Sequence, residues 1–243
     1  MQEPLPTSVP VIPPSPRPSV RARDLLLVVV LTVALVLLVR FLLRGQVRSA
    51  EWIIPLLGVQ SVIPLTAVYL VIVRGRGVSW RDLGLRPISP GWLLGAIMLG
   101  IATVFAIGFV NYLSQSIAGG TMRNPQIEIL APIAMSWQGL LGLLVMAGVV
   151  APIVEEIVFR GVFYAWLRAR WGVAVGAFVS ALAFALAHGI PILIPALLAQ
   201  GVILALVYER SGSLWAPIII HGVFNAVMSL AMFAALSAGV KFG

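Results

Sequence analysis

The residues of this sequence that could do chemistry are few, and apolar sequence surrounds them. Glu155 and Glu156 stand side by side in APIVEEIVFRG (residues 151–161), with Arg160 four residues beyond the second glutamate. The chain has two histidines, His188 in FALAH (184–188) and His221 in HGVFN (221–225). At the centre of a membrane helix a charge costs about 2.5–3.5 kcal/mol on insertion scales, so one that is kept there is usually functional. Neighbouring helical residues point about 100° apart, so the two glutamates cannot do the same job. Glu156 and Arg160 share a face and form a natural ion pair, which commits Glu156. Glu155 is left without a local partner, free to serve as a general base. Phe184 and His188 share one helical face, and His221 and Asn225 share another. An ion pair of this kind can simply glue spans together, and a lone histidine can be a helix–helix hydrogen bond. A glutamate, two histidines and an asparagine on three spans argue against glue for the whole set, provided that they reach one depth.

Depth follows from the elements that carry them. The 243 residues are 60% hydrophobic and 10% charged, with mean hydropathy +1.07, far below the roughly one-quarter charged residues of soluble domains. The composition predicts an all-α, polytopic membrane bundle of about seven spans: Leu25 to Leu43, Trp52 to Val73, Trp92 to Leu113, Gly139 to Leu167, Val173 to Ala187, Ile192 to Tyr208 and Leu214 to Phe233. Indole rings favour the headgroup level, and Trp52, Trp92, Trp137, Trp166, Trp171 and Trp215 all fall at or beside these ends. Trp166 therefore carries the fourth span straight through EEIVFRG. At about 1.5 Å per residue, Glu155 lies roughly 20 Å from Arg168, His188 roughly 24 Å from Gly172 and His221 roughly 14 Å from Gly212, so all three reach one layer near mid-membrane.

Charge gives the orientation. The net charge of +8 rests on arginines in short loops, which orient a membrane protein and do not call for nucleic acid. Arg17, Arg21, Arg23, Arg74, Arg76, Arg81, Arg86, Arg168, Arg170 and Arg210 fall on one side, expected to be cytoplasmic together with the N-terminus. Arg44, Arg48, Arg123 and Lys241 fall on the other, with Arg40 if it snorkels. Residues 1–23 hold seven prolines and read as a disordered tail. Residues 24–136 read as N-terminal spans and loops, and 137–243 as the catalytic part.

Several chemistries are excluded. With no cysteine, disulfides, thiolate metal sites and cysteine nucleophiles are out. No H-E-x-x-H helix and no G-x-S-x-G elbow occurs. The two aspartates, Asp24 and Asp82, lie outside the expected spans, so there is no intramembrane aspartyl dyad.

The three ordered motifs EEIVFR, FALAH and HGVFN resemble the CPBP family, the type II CAAX prenyl endopeptidases and bacteriocin-processing (Abi) membrane proteases, whose pattern is E-E-x-x-x-R, F-x-x-x-H and H-x-x-x-N/D. GSLWAPIIIH before His221 and, more loosely, WRDLGLRP (80–87) also look like family sequence. The resemblance implies an intramembrane endopeptidase acting on a membrane-tethered peptide or protein, with or without a prenyl group. It implies that Glu155 activates water shared with His188, that His221 and Asn225 stabilise the oxyanion, and that Glu156, Arg160 and Phe184 support them. Glu155, His188 and His221 could also be a His₂Glu shell for one divalent metal, zinc by type. The amide of Asn225 suits an oxyanion better than zinc, so the expectation leans to water without metal or other cofactor. The rival from another class is a proton-coupled transporter or silent scaffold. One lysine against fifteen arginines favours a prokaryotic inner membrane.

Overall fold

The computed structural model describes residues 20–44, 52–117, 119 and 124–240. The tail up to residue 19, Arg48, Arg123 and Lys241 lie outside them. Among the described residues the chain is helical without strands: α1 (Ala22–Leu42), α2 (Ile53–Arg74), α3 (Pro90–Ile117), α4 (Pro125–Ala134), α5 (Trp137–Ala187), α6 (Ile194–Ser211) and α7 (Trp215–Ser237). Six of them, all but α4, belong to helical stretches long and apolar enough to cross a membrane. The protein is an integral, multi-pass helical bundle.

Helix α5 accounts for the seventh pass. Its 51 residues would extend about 76 Å unbroken, more than twice a hydrocarbon core of about 30 Å. It folds back at Gly172, whose φ of 78° and ψ of 178° suit glycine far better than any L residue. The first arm (137–171) runs through EEIVFRG as the tryptophans predict, and the second (173–187) returns to His188. Beyond Ala165, α5 packs on α6, while α3 packs on α7.

Three features differ from the sequence expectation. Helix α1 begins at Ala22, inside the expected tail, because the Arg21 backbone N–H donates to Asp24 Oδ2 at 2.8 Å. Arg76 then grips the same carboxylate through Nε at 2.9 Å and Nη2 at 2.7 Å. Residues 125–134, expected as loop, form α4, started by Asn124 accepting from the Gln126 N–H with Pro125 in the first turn. The first arm of α5 also carries two π-helical stretches, Met146–Val150 and Ile157–Tyr164, on either side of Ala151–Glu156. Hydropathy is blind to such turns, which widen a helix by one residue and concentrate at functional sites.

One end of the bundle is tied by polar contacts. The loop 80–87 docks on the α6–α7 turn: the Leu214 N–H donates to Gly84 O at 2.8 Å, Tyr208 donates to Leu83 O at 3.3 Å, and the Ser213 hydroxyl donates to Arg86 O. Gly84, at φ 108°, has no room for a Cβ, which would fall 2.4 Å from the Tyr208 hydroxyl oxygen. Nearby Arg168 pairs with Glu209, which also accepts from Tyr164 at 2.7 Å. Arg76, Arg86, Arg168 and Arg210 therefore come from segments tied to one another, as the charge count groups them.

Candidate active site

The site is built on the segment between the two π-helical stretches. Pro152 has no N–H, so the carbonyl five residues earlier in a π-helical turn, that of Ala147, lacks its backbone donor. Asn225 fills the gap, donating from Nδ2 to Ala147 O at 2.8 Å. The approach is close: a Cβ on Gly222 would fall 2.5 Å from Gly148 O, so α7 and the first arm of α5 meet backbone to backbone, as small residues allow between membrane helices. Ser180 on the second arm serves the other π-helical stretch, donating to Phe159 O at 3.1 Å. Backbone groups freed by an irregular helix are thus satisfied by neighbouring side chains, as lipid surroundings require.

That approach brings His221 to the glutamates. Glu156 and Arg160 are both fully buried and pair through Oε1 and Nη1 at 2.9 Å, as their spacing predicts. Arg160 Nη2 donates to Gly201 O on α6 at 3.1 Å, and its guanidinium carbon lies 4.7 Å from the Phe184 ring centroid. Glu156 Oε1 also meets His221 Nδ1 at 2.9 Å. Glu156 is therefore not committed to Arg160 alone: one carboxylate oxygen joins the arginine to the histidine. A carboxylate only accepts, so Nδ1 of His221 carries the proton and Nε2 is the atom left for chemistry.

Nε2 faces Glu155, whose Oε2 lies 3.7 Å away. Glu155 is thus not without a partner; its neighbour comes from α7, 66 residues on, where helical periodicity cannot see it. Its side chain is 29% exposed, against 0% for Glu156. The two glutamates therefore differ as their angular separation predicts: one is locked inside and one faces accessible space.

His188 sits at the C-cap of the second arm, with Nδ1 2.8 Å from Phe184 O. The carbonyl must accept, so Nε2 of His188 is likewise the free nitrogen. The Phe184 ring packs edge-on against both imidazoles, its centroid 4.7 Å from that of His188 and 5.7 Å from that of His221. Glu155, Glu156, Arg160, Phe184, His188 and His221 are therefore linked by a chain of direct contacts, and Asn225 joins through Ala147. Sequence reasoning missed Gln200, which is 1% exposed with no partner for Nε2. Its signal was a lone amide in the apolar run of α6.

A zinc shell of Glu155, His188 and His221 would need the three to converge. Both imidazoles hold their Nδ1 as zinc histidines do, yet among the described residues no three His, Asp or Glu side chains group closely enough to hold a metal ion.

Residues 137–227 match the family model described as type II CAAX prenyl endopeptidase Rce1-like. Comparisons with curated proteins and with solved structures found no match. The matched stretch contains every residue of the site.

Proposed function

From the likeness of residues 137–227 to the type II CAAX prenyl endopeptidase Rce1-like family, we propose that the chain is an intramembrane endopeptidase that hydrolyses a membrane-tethered peptide with water activated by Glu155. The carrying observation is the 3.7 Å separation of Glu155 Oε2 and His221 Nε2, a partly exposed carboxylate beside the open nitrogen of a buried imidazole. A water resting to the open side of the pair can give a hydrogen to Glu155 and another toward His221, with its lone pairs turned outward. In this reading the water oxygen attacks the peptide carbonyl while its proton passes to Glu155. The carbonyl becomes a tetrahedral oxyanion, Glu155 returns the proton to the departing nitrogen, and the C–N bond breaks to leave a carboxyl and an amine. Glu156 and Arg160 are positioning residues that fix the tautomer and angle of His221.

The oxyanion donor is the second N–H of Asn225, whose first is held by Ala147, while His221 takes the place beside the water that the family resemblance gave to His188. Donors fixed in a water-poor site contribute several kcal/mol to lowering a barrier. The reading uses this water without a metal, and the chelator arm of the test below decides that point. The substrate is a lipidated or otherwise tethered peptide presented at the arginine-rich end, taken as cytoplasmic, in a prokaryotic inner membrane.

The test is cleavage in proteoliposomes of a fluorogenic peptide ending in a prenylated CAAX sequence, beside its unprenylated twin, with product masses read by mass spectrometry. Cleavage of the tethered form, retained in a strong chelator, is expected. Folded wild-type protein that cleaves neither peptide would overturn the reading, and activity lost to chelator and restored by zinc would overturn its metal-free form.

A further inference from the structure

The N-terminal helix pair lies outside the matched residues and holds a feature that the peptidase reading does not use. Helix α1 packs chiefly on α2, and only 6% of its apolar window is buried. Between the two helices is a cavity of about 310 Å³, at the lower end of small-ligand pockets. Val36 and Val39 of α1 and Leu56 and Val59 of α2 make its apolar walls, and Arg40 and Gln60 add the polar groups. Arg40 lies in the last turn of α1, about 27 Å along the axis from Ala22, which places it at the far edge of a hydrocarbon core about 30 Å thick. Leu37, Leu38, Phe41 and Leu42 around it are all exposed, and among the described residues no carboxylate pairs with it.

A guanidinium held at headgroup level above an apolar groove matches one ligand chemistry. The groove takes an acyl chain, and the arginine takes the phosphate in a charge-assisted, forked hydrogen bond. Gln60, across the groove, adds an amide donor. Arg44, in the turn that closes α1, brings a second positive charge near the same level. Zwitterionic lipid would fill the apolar walls equally well but would set its own cation against these arginines, so charge selects an anionic head.

We propose that the α1–α2 groove is a binding site for one anionic glycerophospholipid, in the leaflet opposite the end tied by Asp24 and Arg76. The proposal is independent of the catalytic reading. The protein, purified in mild detergent, is given equal amounts of phosphatidylglycerol and phosphatidylcholine, and bound lipid is counted by native mass spectrometry. Wild type is expected to retain one phosphatidylglycerol about fivefold more readily than phosphatidylcholine, the ratio that a single basic residue gives near an anionic surface. Arg40→Gln should remove most of the preference, leaving what Arg44 supplies, whereas Arg23→Gln, at the other end of α1, should keep it. Tryptophan-fluorescence melts establish that both variants are folded, and Arg40→Lys, which keeps the charge, should retain part of the preference. No preference in wild type, an unchanged preference in Arg40→Gln, or equal loss in Arg23→Gln would overturn the site. So would displacement of the lipid by millimolar inorganic phosphate, which marks a bare anion site, or a lipid-free dimer that buries the groove.

Discussion

Replacing Glu156 with glutamine separates the support of the site from its chemistry. Glu156 and Arg160 are both fully buried, and Glu156 Oε1 accepts from Arg160 at 2.9 Å and from His221 at 2.9 Å. A neutral amide leaves the Arg160 charge in the bundle interior with the Gly201 carbonyl, the Phe184 face and the more distant charge of Glu155 in place of a paired carboxylate. Breaking a buried pair from one side costs about 3–5 kcal/mol. At about 2–4 °C per kcal/mol for a chain of this size, the melt should fall by about 6–20 °C. Glu155→Gln is the control: its contact is at 3.7 Å and its side chain is 29% exposed, so the cost should stay within about 1 kcal/mol. The double variant Glu156→Gln/Arg160→Met removes both charges and should regain much of the stability, because apolar residues can replace a buried pair at little cost. It should stay inactive, since His221 has lost the anion that orients it. The assay is tryptophan-fluorescence melting in detergent, paired with peptide cleavage. A Glu156→Gln melt within 3 °C of wild type, or one no lower than that of Glu155→Gln, would refute the reasoning.

Other outcomes follow from the same geometry. Asn225→Ala strands the Ala147 carbonyl and should cost about 1–3 kcal/mol; Pro152→Ala returns a backbone donor, so the loss should shrink in that background, and additive melts would contradict the link. Gly222→Val forces a Cβ against Gly148 O and should cost about 1–3 kcal/mol by overpacking, with cleavage falling further as His221 shifts; a fully active variant would show that the close approach is dispensable. In a chain with no native cysteine, cysteines at positions 81 and 168 should be labelled from the cytoplasmic side and one at 123 from the outside. Labelling of 81 and 123 from the same side would overturn the seven-pass reading.

The spans were legible because lipid imposes a length and an apolar composition that sequence carries openly. The Glu156–Arg160 pair was legible for a related reason, since four residues on a helix fix a shared face whatever surrounds it. The partner of Glu155 was not. His221 reaches it only because Gly222 lets α7 touch Gly148, a contact set by tertiary packing with no local period. Nor did spacing reveal that Glu156 serves two partners with one oxygen, which made it look unavailable to orient a histidine. The π-helical stretches escaped as well, although Pro152 marks one of them: a missing N–H calls for a donor from elsewhere, and Asn225 is that donor. Helix α4 has a start signal in Asn124 and Pro125, but the run it opens is too short to cross a membrane, so a search for spans does not find it. Gln200 was passed over because one amide in an apolar helix has no periodicity to announce it.

The central claim is that Glu155 activates the water while Glu156 only holds the frame. Its most direct measurement is the single-turnover cleavage rate of a tethered fluorogenic peptide by wild type and Glu155→Gln in the same proteoliposomes, with melts recorded on the same samples. Loss of the general base should slow cleavage by about 10²–10⁴-fold at an unchanged melting temperature. A folded Glu155→Gln protein that cleaves at more than a tenth of the wild-type rate would contradict the account.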